Sequence, residues 1–173
     1  LKIEYRIREC GFYPGKGSYD FSYSEGFDQT GTTERKIKLN PFAMDETLVT
    51  NEEFEKFLKA TRYKPKYSEN FLKHWINGKP PQGKENHPVI WITLDDARAY
   101  ATWKGKRLPT EDEWQWAAQS GDKYFLYPWG NSFDSALCNS GQIKEDTDVK
   151  KYKKGCTIQG LYDMCGNVWQ LTE

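Results

Sequence analysis

Apolar and polar residues alternate or recur at helical spacing in a few short stretches of the chain. Residues 2–8 alternate apolar and charged side chains, which predicts a half-buried strand. Residues 11–34 are rich in Gly, Ser and Tyr and predict a long loop. The alternation resumes in KIKLNPF, where the proline ends a second predicted strand. The apolar run at residues 89–92 predicts a short buried strand.

Three helices are predicted from one shared device, a threonine followed three residues later by an acid. They begin in TNEEFEKFL, TLDDARAYATW and TEDEWQWAA. The hydroxyl can accept a hydrogen bond from a free backbone N–H, and the acid can reach back to the helix start. We therefore interpret the acids as helix caps rather than catalytic carboxylates. The predicted inward faces are Phe54, Phe57 and Leu58; Ala97, Tyr100 and Ala101; and Trp114, Ala117 and Ala118.

The segments between and after these helices are full of Pro, Gly, Asn and Ser. Such composition is typical of irregular connections, so the predicted class is α+β and loop-rich, with short strands and two to three helices. A length of 173 residues suits one domain, and an aromatic content of 16% supplies a core.

Charge and hydropathy exclude several functions. The chain has 25 basic and 25 acidic residues, so its net charge is zero. This balance argues against a nucleic-acid partner, which needs a cationic surface. No stretch is apolar for the ~18 residues that a bilayer-crossing helix needs, so we expect no membrane span.

Cysteine and histidine are too few and too scattered to predict a catalytic or transition-metal site. None of Cys10, Cys138, Cys156 and Cys165 forms a C-x-x-C pair, and the chain has only two histidines. The cysteines are left open between disulfides and free thiols. Because no nucleophile, metalloprotease or phosphate-loop motif is present, we assign no catalytic residue.

The segment GLYDMCGNVWQLTE offers oxygen ligands. Asp163 and Gln170 flank a Gly-Asn turn, and the carbonyls of Gly166 and Val168 add further oxygens. Calcium accepts six to eight such oxygens in irregular geometry. The alternative is that Asp163 only stabilises the turn, as acids near Gly-Asn turns often do.

Four segments together resemble the formylglycine-generating enzyme (sulfatase-modifying factor) family. They are NPFAMDETLVTNEEFEKFLKAT, HPVIWITLDDARAYATWKGKRLPTEDEWQWAA, YPWGN and GLYDMCGNVWQLTE, and they occur in the family's order from about residue 37 to the last residue. The resemblance implies a C-type-lectin-like fold. It implies a single domain over residues 1–173 that lacks the family's C-terminal segment.

The resemblance also implies structural calcium at two sites. At the first, the family's ligands correspond to Asp163, Gly166, Val168 and Gln170, although the family usually has Glu in place of Gln170. At the second, the nearest matches are Asn139, the carbonyl of Ser140, and Asp148.

Two functions remain open. The chain as given is expected to act as a calcium-stabilised ligand-binding or structural module of a bacterial surface or secreted protein. Its possible ligands are a peptide, a protein or a glycan. The alternative is a copper-dependent oxidase that makes formylglycine on sulfatases, with its catalytic cysteines downstream of this chain. In either case an extracytoplasmic location, periplasmic or secreted, is expected rather than a cytoplasmic one.

Overall fold

A short antiparallel hairpin begins the part of the chain that the computed structural model describes, residues 17–21 and 33–173. Strand β1 (Gly17–Phe21) pairs with strand β2 (Thr33–Ile37), with Gly17 opposite Ile37. The prediction of one loop over residues 11–34 is therefore wrong for β1. The predicted strand KIKLNPF is right only at its first residues, because β2 ends at Ile37. The strand predicted at residues 2–8 lies outside the described residues, as does Cys10.

The three predicted helices are confirmed with their caps. They are α1 (Asn51–Thr61), α2 (Leu94–Trp103) and α3 (Glu111–Ala118), and each begins with a complete capping box. In α1, for example, Thr50 N donates to Glu53 Oε2 at 3.0 Å, while Glu53 N donates to Thr50 Oγ1 at 3.2 Å. The acids of these boxes accept hydrogen bonds from the backbone at the helix starts, as the spacing predicts.

An aromatic core joins α1 to α2. The ring of Phe54 stacks on Tyr100 at 5.6 Å, and Phe57 meets Tyr100 edge-on at 5.7 Å. Leu72 and Trp75, from the connection between the two helices, close the same cluster. Each aromatic pair contributes about 0.5–1.5 kcal/mol beyond the area it buries. The apolar faces predicted for α1 and α2 therefore point inward.

The strand predicted at residues 89–92 is absent from the structure. Val89 N donates to Val49 O at 2.9 Å, and Trp91 O accepts from Leu72 N at 2.9 Å, so the segment is held from two sides. Trp91 has a φ of +60°, a left-handed conformation that cannot continue a strand. The apolar run here is instead an irregular, half-buried segment in which Trp91 is exposed.

A second cluster lies under α3, where Ala117 packs against Leu161 and Met164. The predicted face is confirmed, since Trp114 and Ala118 pack partly buried against the same cluster. Trp116, which the pattern missed, is only 2% exposed. After α3, the described chain has two single 3₁₀ turns, Gly121–Lys123 and Ser135–Leu137, and otherwise irregular segments.

The described residues thus have three helices, one hairpin and much loop, in keeping with the loop-rich class. The longest of these helices has 11 residues, against roughly 20 for a bilayer crossing. None of the helices in this part of the chain can span a membrane.

Candidate metal-binding turns and the apolar groove

The segment of residues 163–170, called here the Gln170 turn, is held in shape by left-handed backbone and by a neighbouring loop. Asp163, Gly166 and Asn167 have φ values of +55°, +87° and +67°. A Cβ on Gly166 would collide with the carbonyl of Asn139, so this position needs glycine. The backbone N–H of Asn167 donates to the same carbonyl at 2.9 Å.

Gln170 joins this turn to helix α3. Its Oε1 accepts from the indole Nε1 of Trp114 at 2.8 Å, and its Nε2 donates to the main-chain oxygen of Asp163 at 2.6 Å. The indole N–H can only donate and the carbonyl can only accept, so the two partners fix which end of the amide faces which. Sequence reasoning found Gln170 and Asp163 together, but it missed Trp114 as their third member.

The carboxylate of Asp163 is buried and contacts other groups. The residue is 9% exposed, and its carboxylate accepts from Lys150 N and Asn167 Nδ2, both at 3.4 Å. Burial raises the pKa of this carboxyl above its ordinary value. What faces Gln170 is the main-chain oxygen of Asp163, not its side chain. Calcium coordination by Asp163, Gly166, Val168 and Gln170 stays a prediction.

The second predicted set belongs to residues 138–148, called here the Asn139 loop. Asn139 Nδ2 donates to Glu145 O at 2.9 Å, while Asn139 Oδ1 is buried and has no hydrogen-bond partner among the described residues. Ser140 N donates to Gln142 Oε1 at 2.8 Å. Asp148 faces His87 instead, with Oδ1 3.5 Å from His87 Nε2. The structure places Asn139 beside the Gln170 turn and shows no hydrogen bond between Asn139 and Asp148.

An ionic cluster that the sequence did not predict fixes the far side of the Asn139 loop. His87 Nδ1 lies 2.7 Å from Asp146 Oδ2, and Lys84 Nζ lies 2.8 Å from Glu145 Oε2. Across residues 17–21 and 33–173, no three His, Cys, Asp or Glu side chains converge on a common metal position. A cation here would therefore depend on amide and carbonyl oxygens.

The cysteines of the described part of the chain are thiols. Cys138, Cys156 and Cys165 form no disulfide with one another. Cys138 and Cys165 are adjacent, and burial together with the Cys138 thiol raises the pKa of Cys165 to about 12. Such a thiol stays protonated at neutral pH and is a poor nucleophile.

An apolar groove with a volume of about 1020 Å³ lies among the segments that carry the family resemblance. Its walls come from residues 42–49, 88–92, 105–109 and 162–171, and include Met44, Val89, Ile92, Leu108, Trp114 and Trp169. Trp169 is 90% exposed at this groove. The charged groups around it pair with each other: Lys106 with Asp45 at 2.7 Å, and Arg107 with Glu113 at 2.6 Å.

Comparison with known proteins relates this arrangement to a family. A family model for the sulfatase-modifying factor enzyme 1-like domain matches residues 12–173. The formylglycine-generating enzyme of Thermomonospora curvata is 33% identical over 79% of this chain and 60% of its own length. The inactive C-alpha-formylglycine-generating enzyme 2 of Bos taurus is 29% identical over 86% of the chain and 64% of its own length.

A third relative is of another kind. The serine/threonine-protein kinase Pkn1 of Chlamydia trachomatis is 35% identical over 78% of this chain, which matches only 23% of the kinase. The chain thus spans about 60% of the length of the two formylglycine-generating-enzyme relatives and a smaller part of the kinase.

Proposed function

Because the chain belongs to the sulfatase-modifying factor enzyme 1-like domain family, we propose that it acts as a formylglycine-generating-enzyme-like module that binds a ligand or supports a larger assembly. One relative is named inactive and another is a kinase that matches over a small part of its length. Membership of the family therefore does not by itself imply formylglycine formation.

The apolar groove is the observation that carries this proposal. Its volume of about 1020 Å³ lies at the upper end of the range for ligand pockets, and most of its lining is apolar. Trp169 offers a large aromatic face at its edge. Aromatic faces bind apolar peptide side chains and sugar rings. Because the neighbouring charges are already paired, a ligand with a neutral, apolar contact surface, a peptide or a glycan, fits best.

Binding can be tested with peptide and glycan panels and isothermal titration calorimetry. Trp169→Ala should weaken binding of any hit about tenfold or more. A tryptophan that becomes buried when the ligand binds contributes much of the binding free energy. Leu126→Ala is the matched control, because Leu126 is 76% exposed and does not line the groove. Equal affinities for the two variants, or no hit in either panel, would contradict a role for the groove.

A second candidate function is copper-dependent oxidation of a cysteine to formylglycine on sulfatases. Its support is the likeness to formylglycine-generating enzymes of Thermomonospora curvata and Streptomyces coelicolor, at 33% and 32% identity. It requires catalytic cysteines outside residues 1–173, with copper supplying the oxidative chemistry. The test is oxygen-dependent turnover of a sulfatase peptide by the longest natural form of the protein with copper added. Absence of turnover in a copper-loaded sample would exclude it.

Structural calcium is part of the proposal, and the two predicted sets fit it differently. The buried, unpartnered Oδ1 of Asn139 is an acceptor that a cation would satisfy. In the Gln170 turn, the amide of Gln170 already has a partner for each of its ends. A calcium-dependent module would suit an extracytoplasmic location, where modules bind calcium at 10⁻⁴–10⁻³ M. A melting temperature unaffected by a chelator would count against structural calcium.

A further inference from the structure

We propose that the side-chain amide of Gln170 closes the Gln170 turn in place of a calcium ion, so that this turn keeps its shape without metal. This inference concerns one turn and does not depend on what the groove binds. It departs from the expected four-ligand site at Asp163, Gly166, Val168 and Gln170.

The first support is the direction of the Gln170 amide. Its oxygen is fixed by the indole N–H of Trp114 at 2.8 Å, which leaves its nitrogen facing the main-chain oxygen of Asp163 at 2.6 Å. The amide N–H carries partial positive charge. It therefore gives the carbonyl of Asp163 the electrostatic partner that a cation would otherwise supply.

The second support is that other expected ligands are also occupied by protein groups. The carbonyl of Gly166 accepts from Val168 N at 3.0 Å. The carboxylate of Asp163 accepts from Lys150 N and Asn167 Nδ2 and does not contact Gln170. Each such bond uses one lone pair of the oxygen, so a cation in this turn would have to share these oxygens with protein donors. In this turn the amide, a carbonyl and a carboxylate each have donors or acceptors within the chain.

The third support is what one atom would change. Glutamate at position 170 could keep the bond from Trp114, but its second oxygen would then face the carbonyl of Asp163. At the observed spacing of 2.6 Å, two acceptors repel each other unless a proton lies between them or one cation coordinates both. Glutamine supplies the proton from its own amide. The residue type at 170 thus decides whether this turn needs a metal.

The test compares the wild-type chain with Gln170→Glu. In wild type, adding calcium after chelation should leave the NMR resonances of the Trp114 indole N–H and of the Gln170 side-chain amide unchanged. Resonances of Asn167 are not used, because its N–H bonds Asn139 and would respond to calcium at the Asn139 loop. In Gln170→Glu, chelation should lower the melting temperature by about 3 °C or more beyond its effect on wild type, and calcium should restore it. Calorimetry should find one calcium more per chain in Gln170→Glu than in wild type.

Gln115→Glu is the matched control. It makes the same change of residue and charge, but on helix α3 rather than in the turn, and should create no calcium site. The inference is overturned if calcium shifts the Trp114 indole resonance of wild type, or if Gln170→Glu binds no additional calcium. The wild-type titration decides the question even if Gln170→Glu does not fold. Because no groove ligand is used, failure here is separate from failure of the proposed function.

Discussion

The Gln170 turn (residues 163–170) and the Asn139 loop (residues 138–148) lie side by side, since Asn167 N donates to Asn139 O. Both segments were expected to hold calcium. In the turn, Gln170 has hydrogen-bond partners at both ends of its amide. In the loop, Asn139 Oδ1 is buried without a partner among the described residues.

The contrast shows that one segment has a buried oxygen without a donor and the other does not, so we expect calcium, if it binds, at the Asn139 loop. A buried acceptor without a donor costs about 1–3 kcal/mol, so a cation at Asn139 would relieve an existing deficit. In the turn the carbonyl of Asp163 already has the Gln170 amide as its donor. Whether the buried oxygens already have hydrogen-bond donors therefore distinguishes the two segments more clearly than the number of acidic residues does.

The largest expected effect comes from Asn167, which ties the two segments together. Its side chain accepts from Thr147 N at 2.9 Å and donates to Thr147 O at 3.1 Å, and its φ is +67°. Asn167→Ala should lower the free energy of unfolding by about 3 kcal/mol, from two lost hydrogen bonds and left-handed strain. Urea denaturation measures it.

Asn167→Gly is the control for backbone strain, because glycine accepts a positive φ. It should lose the two hydrogen bonds alone, about 2 kcal/mol. If the free energies of unfolding of both variants lie within about 0.5 kcal/mol of the wild-type value, Asn167 does not join the turn to the loop.

Calcium should act on the Asn139 loop. At a free concentration 100 times its dissociation constant, calcium should raise the free energy of unfolding by about 2.7 kcal/mol, and Asn139→Ala should abolish most of that gain. Thermal melts with calcium and with a chelator measure it. Asn131→Ala is the control, since Asn131 bonds Leu126 N and should leave the calcium response intact. An equal response in the two variants would place the ion elsewhere.

Two buried carboxyls have pKa values shifted in opposite directions, so they should change stability with pH in opposite ways. The Arg107 guanidinium lowers the pKa of Glu113, whereas burial raises the pKa of Asp163. The stability from Glu113 is therefore full above its unfolded pKa of about 4.3 and lost as pH falls through the lowered value. For Asp163 the sign reverses: its contribution to stability increases as pH falls through the raised pKa towards about 3.9.

Carbon-detected NMR titration measures both groups, and urea unfolding between pH 7 and pH 3 measures the consequence. Glu113→Gln should remove on the order of 1 kcal/mol of the acid dependence, a figure kept small because Arg107 is largely exposed. Asp163→Asn should remove the opposing contribution. A pKa for Asp163 below that of an unfolded aspartate would instead indicate a cation or another unrecognised donor at its carboxylate.

The smallest effect concerns thiol labelling, which reports on the contact between the two segments. Cys138 adjoins Asn139, Cys165 adjoins Gly166, and the pKa of Cys165 is raised to about 12. At pH 8 the Cys165 side chain would therefore be almost entirely protonated. Peptide mapping after brief alkylation should therefore find Cys156 labelled before Cys138 and Cys165. Faster labelling of Cys138 than of Cys156 would show that the two segments separate.

Local patterns predicted the helices well. A capping box needs only residues three positions apart, and apolar spacing needs only one helical turn, so α1, α2 and α3 follow from neighbouring residues. Irregular segments were predicted less well. Residues 89–92 have the composition of a strand, but contacts with Val49 and Leu72 and the left-handed Trp91 prevent a ladder.

The candidate site divides in the same way. The sequence by itself determined the caps, the glycine at the tight turn and the set of oxygen-bearing residues, because these depend on short-range geometry and residue type. Only the tertiary structure decided which oxygens are satisfied. Trp114 and Gln170 are 56 residues apart, and their hydrogen bond exists only because α3 packs beside the Gln170 turn. The Asn139 loop packs against the same turn, and Asn139 Oδ1 is buried there, where a cation would have an acceptor to bind.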